Sequence, residues 1–309
     1  MSLAGQHFLG LRGVSADIIH AILDASEGFR DISRRTIKKV PTLRGRTVLN
    51  VFLENSTRTR ISFELAAKRL SADGVNMSAS GSSTSKGESL VDTAQTLDAM
   101  QADVIVIRHG QSGAPQVIAK HVKARVINAG DGRHEHPTQG LLDMLTMRQR
   151  FGHLEGLQVA IVGDVTHSRV ARSNLIGLKT MGAQTRVFGP NTLMPRELAE
   201  VYGTTVCTSL RECLEGAHVV MTLRLQKERM TSGLLPELRE YSRVYGLNSN
   251  AMKLARPDAI VMHPGPVNRG VEISAELMDG PQSVILDQVE NGVAVRAALL
   301  YLILGGDES

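Results

Sequence analysis

One alternation constrains this chain more than any other feature. Compact apolar runs stand at 48–53, 103–107, 124–129, 157–163, 185–189, 218–223 and 259–263, and segments with helical spacing lie at 87–99, 114–121, 137–150, 169–181 and 195–201. Parallel strands need crossover connections, and helices placed there bury both faces of the sheet. The expected fold class is therefore α/β, with parallel sheets flanked by helices. The 309 residues hold enough strand-like runs for two similar domains. We place the first at 1–150 and the second at 151–286, with the polar, Gly-containing stretch 148–156 at their boundary. The apolar segment 287–304 reads as a final helix, and the tail 287–309 is expected to pack back on the first domain.

Ligands of open α/β sheets bind beyond the carboxyl ends of the strands, so the residues that follow each strand matter most. After 48–53 comes Glu54-Asn55-Ser56-Thr57-Arg58-Thr59-Arg60, and then Phe63, Ala66, Ala67 and Leu70 on one helical face. Ser56 or Thr57 is the candidate N-cap. Arginines in or beside a first helical turn are disfavoured by the helix dipole by roughly 0.3–1 kcal/mol each. An anion bound on the free amides offsets that cost, and a phosphate suits the place. The plainer alternative is a capped helix whose arginines pair with nearby glutamates.

Other strand ends carry similar chemistry. Arg108 follows 103–107 directly, and His136 stands where Pro137 opens a helix continued by Leu141, Leu142 and Leu145. An imidazole there can donate to an oxygen that becomes negative. The segment 161–175 resembles a strand, turn and helix of a dinucleotide binder, but only Gly163 stands where three glycines are needed. It leaves Arg169 at a helix start. Arg224, Gln226, Lys227 and Arg229 follow 218–223, and Arg224 and Gln226 point the same way if that segment is extended. A guanidinium there fits a carboxylate. Two prolines bracket Gly265 in 262–270, a rigid loop that displays backbone groups. The Ser/Gly-rich stretch 78–89 reads as a linker, or as a mobile loop that carries Lys86 over an anion. One domain thus offers hydroxyls, Arg58, Arg108 and His136, and the other Arg169, Arg224 and Gln226. That division implies a phosphate-bearing partner in the first and a carboxylate-bearing partner in the second.

Composition excludes several classes. Net charge is only +4, aromatic residues are 3% and tryptophan is absent, which argues against nucleic acid. No apolar run approaches ~18 residues, so no membrane span is expected. The N-terminal stretch lacks a basic segment followed by an apolar core, so no signal peptide is expected. Cys207 and Cys213 have no zinc spacing and are expected as reduced thiols in a cytoplasmic protein. His134, Glu135 and His136 alternate faces, and no further cluster completes a metal shell. No nucleophile triad or carboxylate pair stands out.

The motifs "STRTR" at 56–60, "HPTQ" at 136–139, "RLQKER" at 224–229 and "HPGP" at 263–266, in this order, resemble the catalytic chains of the aspartate carbamoyltransferase family. The resemblance covers nearly the whole chain. It implies transfer of the carbamoyl group of carbamoyl phosphate to the amino group of L-aspartate, in pyrimidine synthesis, with no metal or cofactor. It implies that Ser56, Thr57, Arg58 and Thr59 hold the phosphate, and that Arg108, His136 and Gln139 hold the carbamoyl group. Ser82 and Lys86 would reach into a neighbouring subunit's site, which makes the catalytic unit a homotrimer. Arg169, Arg224 and Gln226 would hold the aspartate carboxylates, with Gly265 and Pro266 lining the cleft. Asn268-Arg269-Gly270 looks like the bacterial subgroup whose trimers assemble with dihydroorotase-like chains, whereas other members pair with regulatory chains.

The nearest rival is the sister ornithine carbamoyltransferase family, which carries cysteine in both equivalents of "HPTQ" and "HPGP", where Thr138 and Gly265 stand here. A nicotinamide-dependent dehydrogenase is disfavoured by the missing glycines. A non-catalytic carbamoyltransferase-like subunit is disfavoured by the intact motifs.

Overall fold

The computed structural model describes residues 3–78, 89–195, 197–226 and 237–305. The chain divides into two compact units, one of Met1–Leu142 with Val289–Ser309 and one of Asp143–Gln288.

The first unit runs α1 (Ala16–Arg34), β1 (Thr47–Phe52), α2 (Thr57–Arg69), β2 (Asp73–Ser78), α3 (Leu90–Ala99), β3 (Val104–His109), α4 (Ala114–Ala119), β4 (Arg125–Asp131) and the start of α5 (Pro137–Phe151). Its described strands form a parallel sheet in the order β2-β1-β3-β4. Burial on both faces explains the continuous apolar runs of β1 and β3, whose Leu49, Val51, Ile105 and Ile107 pack with Ala94, Leu97 and Ile118 from the helices. Strand β2, "DGVNMS", is polar and largely exposed at the sheet edge. An edge strand buries little, so no apolar run marks it in the sequence.

The second unit continues through β5 (Gln158–Val162), α6 (Arg169–Thr180), β6 (Gln184–Phe188), α7 (Leu198–Tyr202), β7 (Thr205–Val206), α8 (Leu210–Leu214), β8 (Val219–Thr222), α9 (Leu238–Tyr245), α10 (Ser249–Met252), β9 (Ile260–Met262) and α11 (Ala275–Met278), and ends in the first residues of α12 (Ile285–Leu304). Its sheet is again parallel, in the order β7-β6-β5-β8-β9. The units divide inside α5 and inside α12, at Leu142/Asp143 and Gln288/Val289, and not in a loop. From Val289 onward α12 belongs to the first unit. Among the described residues no helix is long and apolar enough to cross a membrane.

Each strand order contains one reversal. The chain steps from β1 out to β2 and returns on the other side of β1 as β3. Likewise it steps from β5 out to β6 and β7 and returns beside β5 as β8. At such a switch point the two connections leave in opposite directions, and a crevice opens beyond the strand ends. Both reversals are tied at their carboxyl ends: the Leu53 amide donates to the Arg108 carbonyl, and the Leu223 amide to the Val162 carbonyl, each at 2.9 Å.

Candidate active site

The first switch point gathers most of the first unit's expected residues. Ser56 takes the N-cap position of α2 with extended backbone, but its hydroxyl makes no cap hydrogen bond, and no acidic residue lies in the first turn. Neither the usual hydroxyl cap nor a first-turn carboxylate offsets the positive end of this helix. Thr57 and Arg58 are exposed there, Ser56 is half-buried and Thr59 is buried.

Arg108, the penultimate residue of β3, lies beside the start of that loop. Its Nη1 donates to the Ala129 carbonyl at 3.3 Å, and its Nε lies 3.7 Å from Glu54 Oε2. Carbonyl and carboxylate hold the guanidinium between the ends of β1 and β4. Glu54 has no motif spacing of its own, and only its place after a strand pointed to it.

A buried polar network holds the segment that leads to His136. Asp131 ends β4 and accepts from the Gly113 amide at 2.7 Å, Asn128 Nδ2 at 2.8 Å, His134 Nδ1 at 3.0 Å and the Glu135 amide at 3.1 Å. Burial pushes the Asp131 carboxyl up, but bonds from His134, Gly113 and Asn128 outweigh it and hold the group below its usual range. Glu135 turns the other way, and its Oε2 accepts from the Leu11 amide at 2.8 Å. A Cβ on Gly10 would lie 2.5 Å from Glu135 Oε1, so a side chain there would displace the carboxylate from this position. His134 and Glu135 are thereby committed to separate partners, and among the described residues no group of three or more His, Cys, Asp or Glu could hold a metal. His136 itself is 5% exposed, and Pro137 opens α5 as expected. The Gln139 amide closes the first turn on the His136 carbonyl at 2.9 Å. Thr138 Oγ1 accepts from buried Arg296 of α12 at 3.2 Å. Ser82 and Lys86 lie outside the described residues, as do Lys227 and Arg229.

The second switch point gathers Arg169, Arg224 and Gln226. Gly163 follows β5 with φ +130°, and a Cβ there would lie 3.2 Å from Leu223 Cβ and 3.1 Å from the Tyr241 hydroxyl. A single glycine suffices here because it serves the turn and the close approach of the β8 loop. Asp164 accepts from the His167 amide at 3.0 Å and from His167 Nδ1 at 2.9 Å, and Ser168 Oγ caps α6 by accepting from the Ala171 amide at 3.1 Å. Arg169 is therefore the first residue of α6, and it is 3% exposed.

After β8, Leu223 and Leu225 are buried while Arg224 and Gln226 are half-buried. This period of two puts Arg224 and Gln226 on one side of an extended segment, as the spacing predicts. The Leu225 amide donates to Glu272 at 2.9 Å. After β9, the Gly265 amide donates to His263 Nδ1 at 2.7 Å, and the Gly265–Pro266 peptide is cis. Arg269 pairs with Asp279 at 2.8 Å on the surface. Glu272 escaped the sequence reading, because nothing in its spacing announces a buried carboxylate.

Residues 6–149 match the family described as aspartate/ornithine carbamoyltransferase, carbamoyl-P binding domain, and residues 155–303 match its Asp/Orn binding domain. The chain is 60% identical over 308 residues to the aspartate carbamoyltransferase catalytic subunit of Syntrophotalea carbinolica, covering 100% of this chain and 98% of that one. Against the subunit of the same name from Geobacter sulfurreducens the identity is 58%, covering 99% of each. Among solved structures, the ornithine carbamoyltransferase of Pyrococcus furiosus superposes with TM-score 0.88 at 30% identity over 100% of both chains. The aspartate transcarbamoylase of Trypanosoma cruzi, in complex with carbamoyl phosphate and aspartate, gives TM-score 0.88 at 31% identity over 98% of each.

Proposed function

The chain belongs to the aspartate/ornithine carbamoyltransferase family, and from that premise we infer that it is the aspartate enzyme. It transfers the carbamoyl group of carbamoyl phosphate to the amino group of L-aspartate, giving N-carbamoyl-L-aspartate and phosphate in de novo pyrimidine biosynthesis. The choice of aspartate over ornithine is supported by the donors of the second unit. Arg169 starts a helix, and Arg224 and Gln226 share one side of an extended segment. Such a set suits two carboxylates, whereas a second amine would call for acceptors.

In this reading the first unit holds carbamoyl phosphate. The start of α2, with Ser56, Thr57, Arg58 and Thr59, takes the phosphate. The uncapped helix start and its arginine favour that anion. Arg108, His136 and Gln139 take the carbamoyl group. The second unit holds aspartate through Arg169, Arg224, Gln226 and the backbone of Gly265 and Pro266. The neutral amine attacks the carbamoyl carbon and a C–N bond forms. Negative charge gathers on the carbamoyl oxygen, where Thr59, Arg108 and His136 stabilise it. The C–O bond to phosphate then breaks, and the departing phosphate accepts the proton lost by the amine. No protein base is required, so positioning two anionic substrates against their repulsion is the main demand.

The catalytic unit of this reading is a homotrimer in which Ser82 and Lys86 complete a neighbour's site, and a dihydroorotase-like or regulatory chain is its candidate partner. Two buried free thiols, Cys207 and Cys213, fit a cytoplasmic location. Steady-state kinetics of two variants test the division of labour. Arg58→Ala should raise KM for carbamoyl phosphate and Arg224→Ala KM for aspartate, each by about tenfold or more, as expected for a lost charge-assisted contact. The opposite pattern would contradict the assignment.

A further inference from the structure

One buried carboxylate joins the loops after β8 and β9 of the second unit. Glu272 is 1% exposed. Its Oε1 accepts from the Leu225 amide at 2.9 Å and from Asn268 Nδ2 at 2.5 Å, and its Oε2 accepts from the Asn268 amide at 2.7 Å. His263 Nε2 lies 3.4 Å from Oε2. Leu225 sits between Arg224 and Gln226, and Asn268 stands two residues beyond Pro266. The bond fixes the backbone at Leu225, and with the Leu225 side chain buried its two neighbours fall together on the opposite side, because side chains alternate along an extended segment.

The network continues through His263. Its Nδ1 accepts from the Gly265 amide at 2.7 Å, and its own amide donates to Gln288 Oε1 at 3.0 Å. Gln288 Nε2 donates to Asp143 Oδ1 at 2.7 Å, and Asp143 Oδ2 accepts from Asn174 Nδ2 at 2.7 Å. Asn174 lies on α6, the helix that Arg169 begins. Hydrogen bonds, joined by the 3.4 Å approach of His263 to Glu272, thus reach every segment of this unit that carries an aspartate-binding candidate.

We propose that Glu272 is a positioning residue for aspartate: it sets the backbone from which Arg224 and Gln226 project and ties it to the Gly265–Pro266 loop. The proposal rests on the reading of this unit as the aspartate site. Burial pushes the Glu272 carboxyl up, but bonds from His263, the Leu225 amide and Asn268 outweigh it and hold the group below its usual range. It is therefore ionised at neutral pH and keeps both oxygens as acceptors.

The test is Glu272→Gln, which keeps the volume but replaces one acceptor oxygen with a donor. That NH2 must face either the Leu225 side of the network or the Asn268 amide, and both present donors. Initial rates should show KM for aspartate raised by about tenfold, the size of one lost charge-assisted bond. The KM for carbamoyl phosphate should stay within about twofold, and kcat within about threefold. The inhibition constant of succinate, a dicarboxylate without the amine, should rise in step. Glu272→Asp keeps both acceptor oxygens and should restore part of the effect. An unchanged KM for aspartate in Glu272→Gln would overturn the proposal. So would equal rises for both substrates, or a drop only in the folded, active fraction. Arg224→Ala run beside it separates the two levels: no effect of Arg224→Ala on aspartate would fault the aspartate site itself, and an effect there without one at Glu272 faults the positioning role alone.

Discussion

The amide of Leu53 donates to the carbonyl of Arg108 at 2.9 Å, so the exit of β1 and the exit of β3 are held side by side. That bond closes the parallel ladder where the strand order reverses. It makes Arg108 the neighbour of the loop that carries Ser56 to Thr59, although some fifty residues separate them in sequence. Sheet topology, more than any local motif, explains why these groups belong together.

Arg108 should matter mainly in the transition state, where charge develops on the carbamoyl oxygen. Arg108→Ala is expected to lower kcat by about 10²–10³-fold, the usual cost of removing one oxyanion donor. KM for aspartate should change little. Stopped-time assays of carbamoyl-aspartate against both substrates measure this directly.

Asp131 makes a prediction about acid stability. Its folded-state pKa is depressed by the bonds from His134, Gly113 and Asn128, against the upward push of burial. A depressed carboxylate stabilises the fold above its unfolded pKa of about 3.9, and that contribution is lost as pH falls through the folded value. Asp131→Asn should cost about 1.5–3 kcal/mol at pH 7, where ionised hydrogen bonds are lost. The gap between variant and parent should narrow as the pH drops below about 4. Urea unfolding from about pH 3 to about pH 7 reads it.

The proposed homotrimer with shared sites makes a prediction that single-chain kinetics cannot imitate. At carbamoyl phosphate concentrations well below their raised KM, Arg58→Ala chains and Lys86→Ala chains should each show little activity. Mixed under conditions that exchange subunits, they should regain a measurable fraction of activity, because some interfaces pair an intact Arg58 with an intact Lys86. If no mixture recovers activity while exchange is seen by native mass measurement, sharing is refuted.

Much of this architecture was legible in the sequence because buried parallel strands must be apolar throughout. Runs such as 103–107 and 157–163 overlie β3 and β5 for that reason. The polar edge strand β2 was not legible, since its residues contact little. Helix α1 buries Ile19, Ile22, Leu23 and Ser26 at helical spacing behind a Ser15 cap, a pattern that was present but passed over. At the candidate site, Arg108, His136 and Arg169 were found because they follow strands. Glu54 follows a strand too, but the supporting roles of Asp131, Glu135 and Glu272 were not legible. A carboxylate that accepts backbone amides leaves no periodic trace, and it becomes visible only when distant loops are brought together. The passage between units was hidden for a related reason: it lies within helices α5 and α12, where no loop composition marks it.

The most direct measurement is product formation from carbamoyl phosphate with L-aspartate and, in parallel, with L-ornithine, using the purified chain without added metal or cofactor. The account predicts carbamoyl-aspartate and phosphate in equal amounts and no citrulline. Citrulline from ornithine, with no carbamoyl-aspartate, would contradict it and would mean that Arg169, Arg224 and Gln226 do not read a second carboxylate.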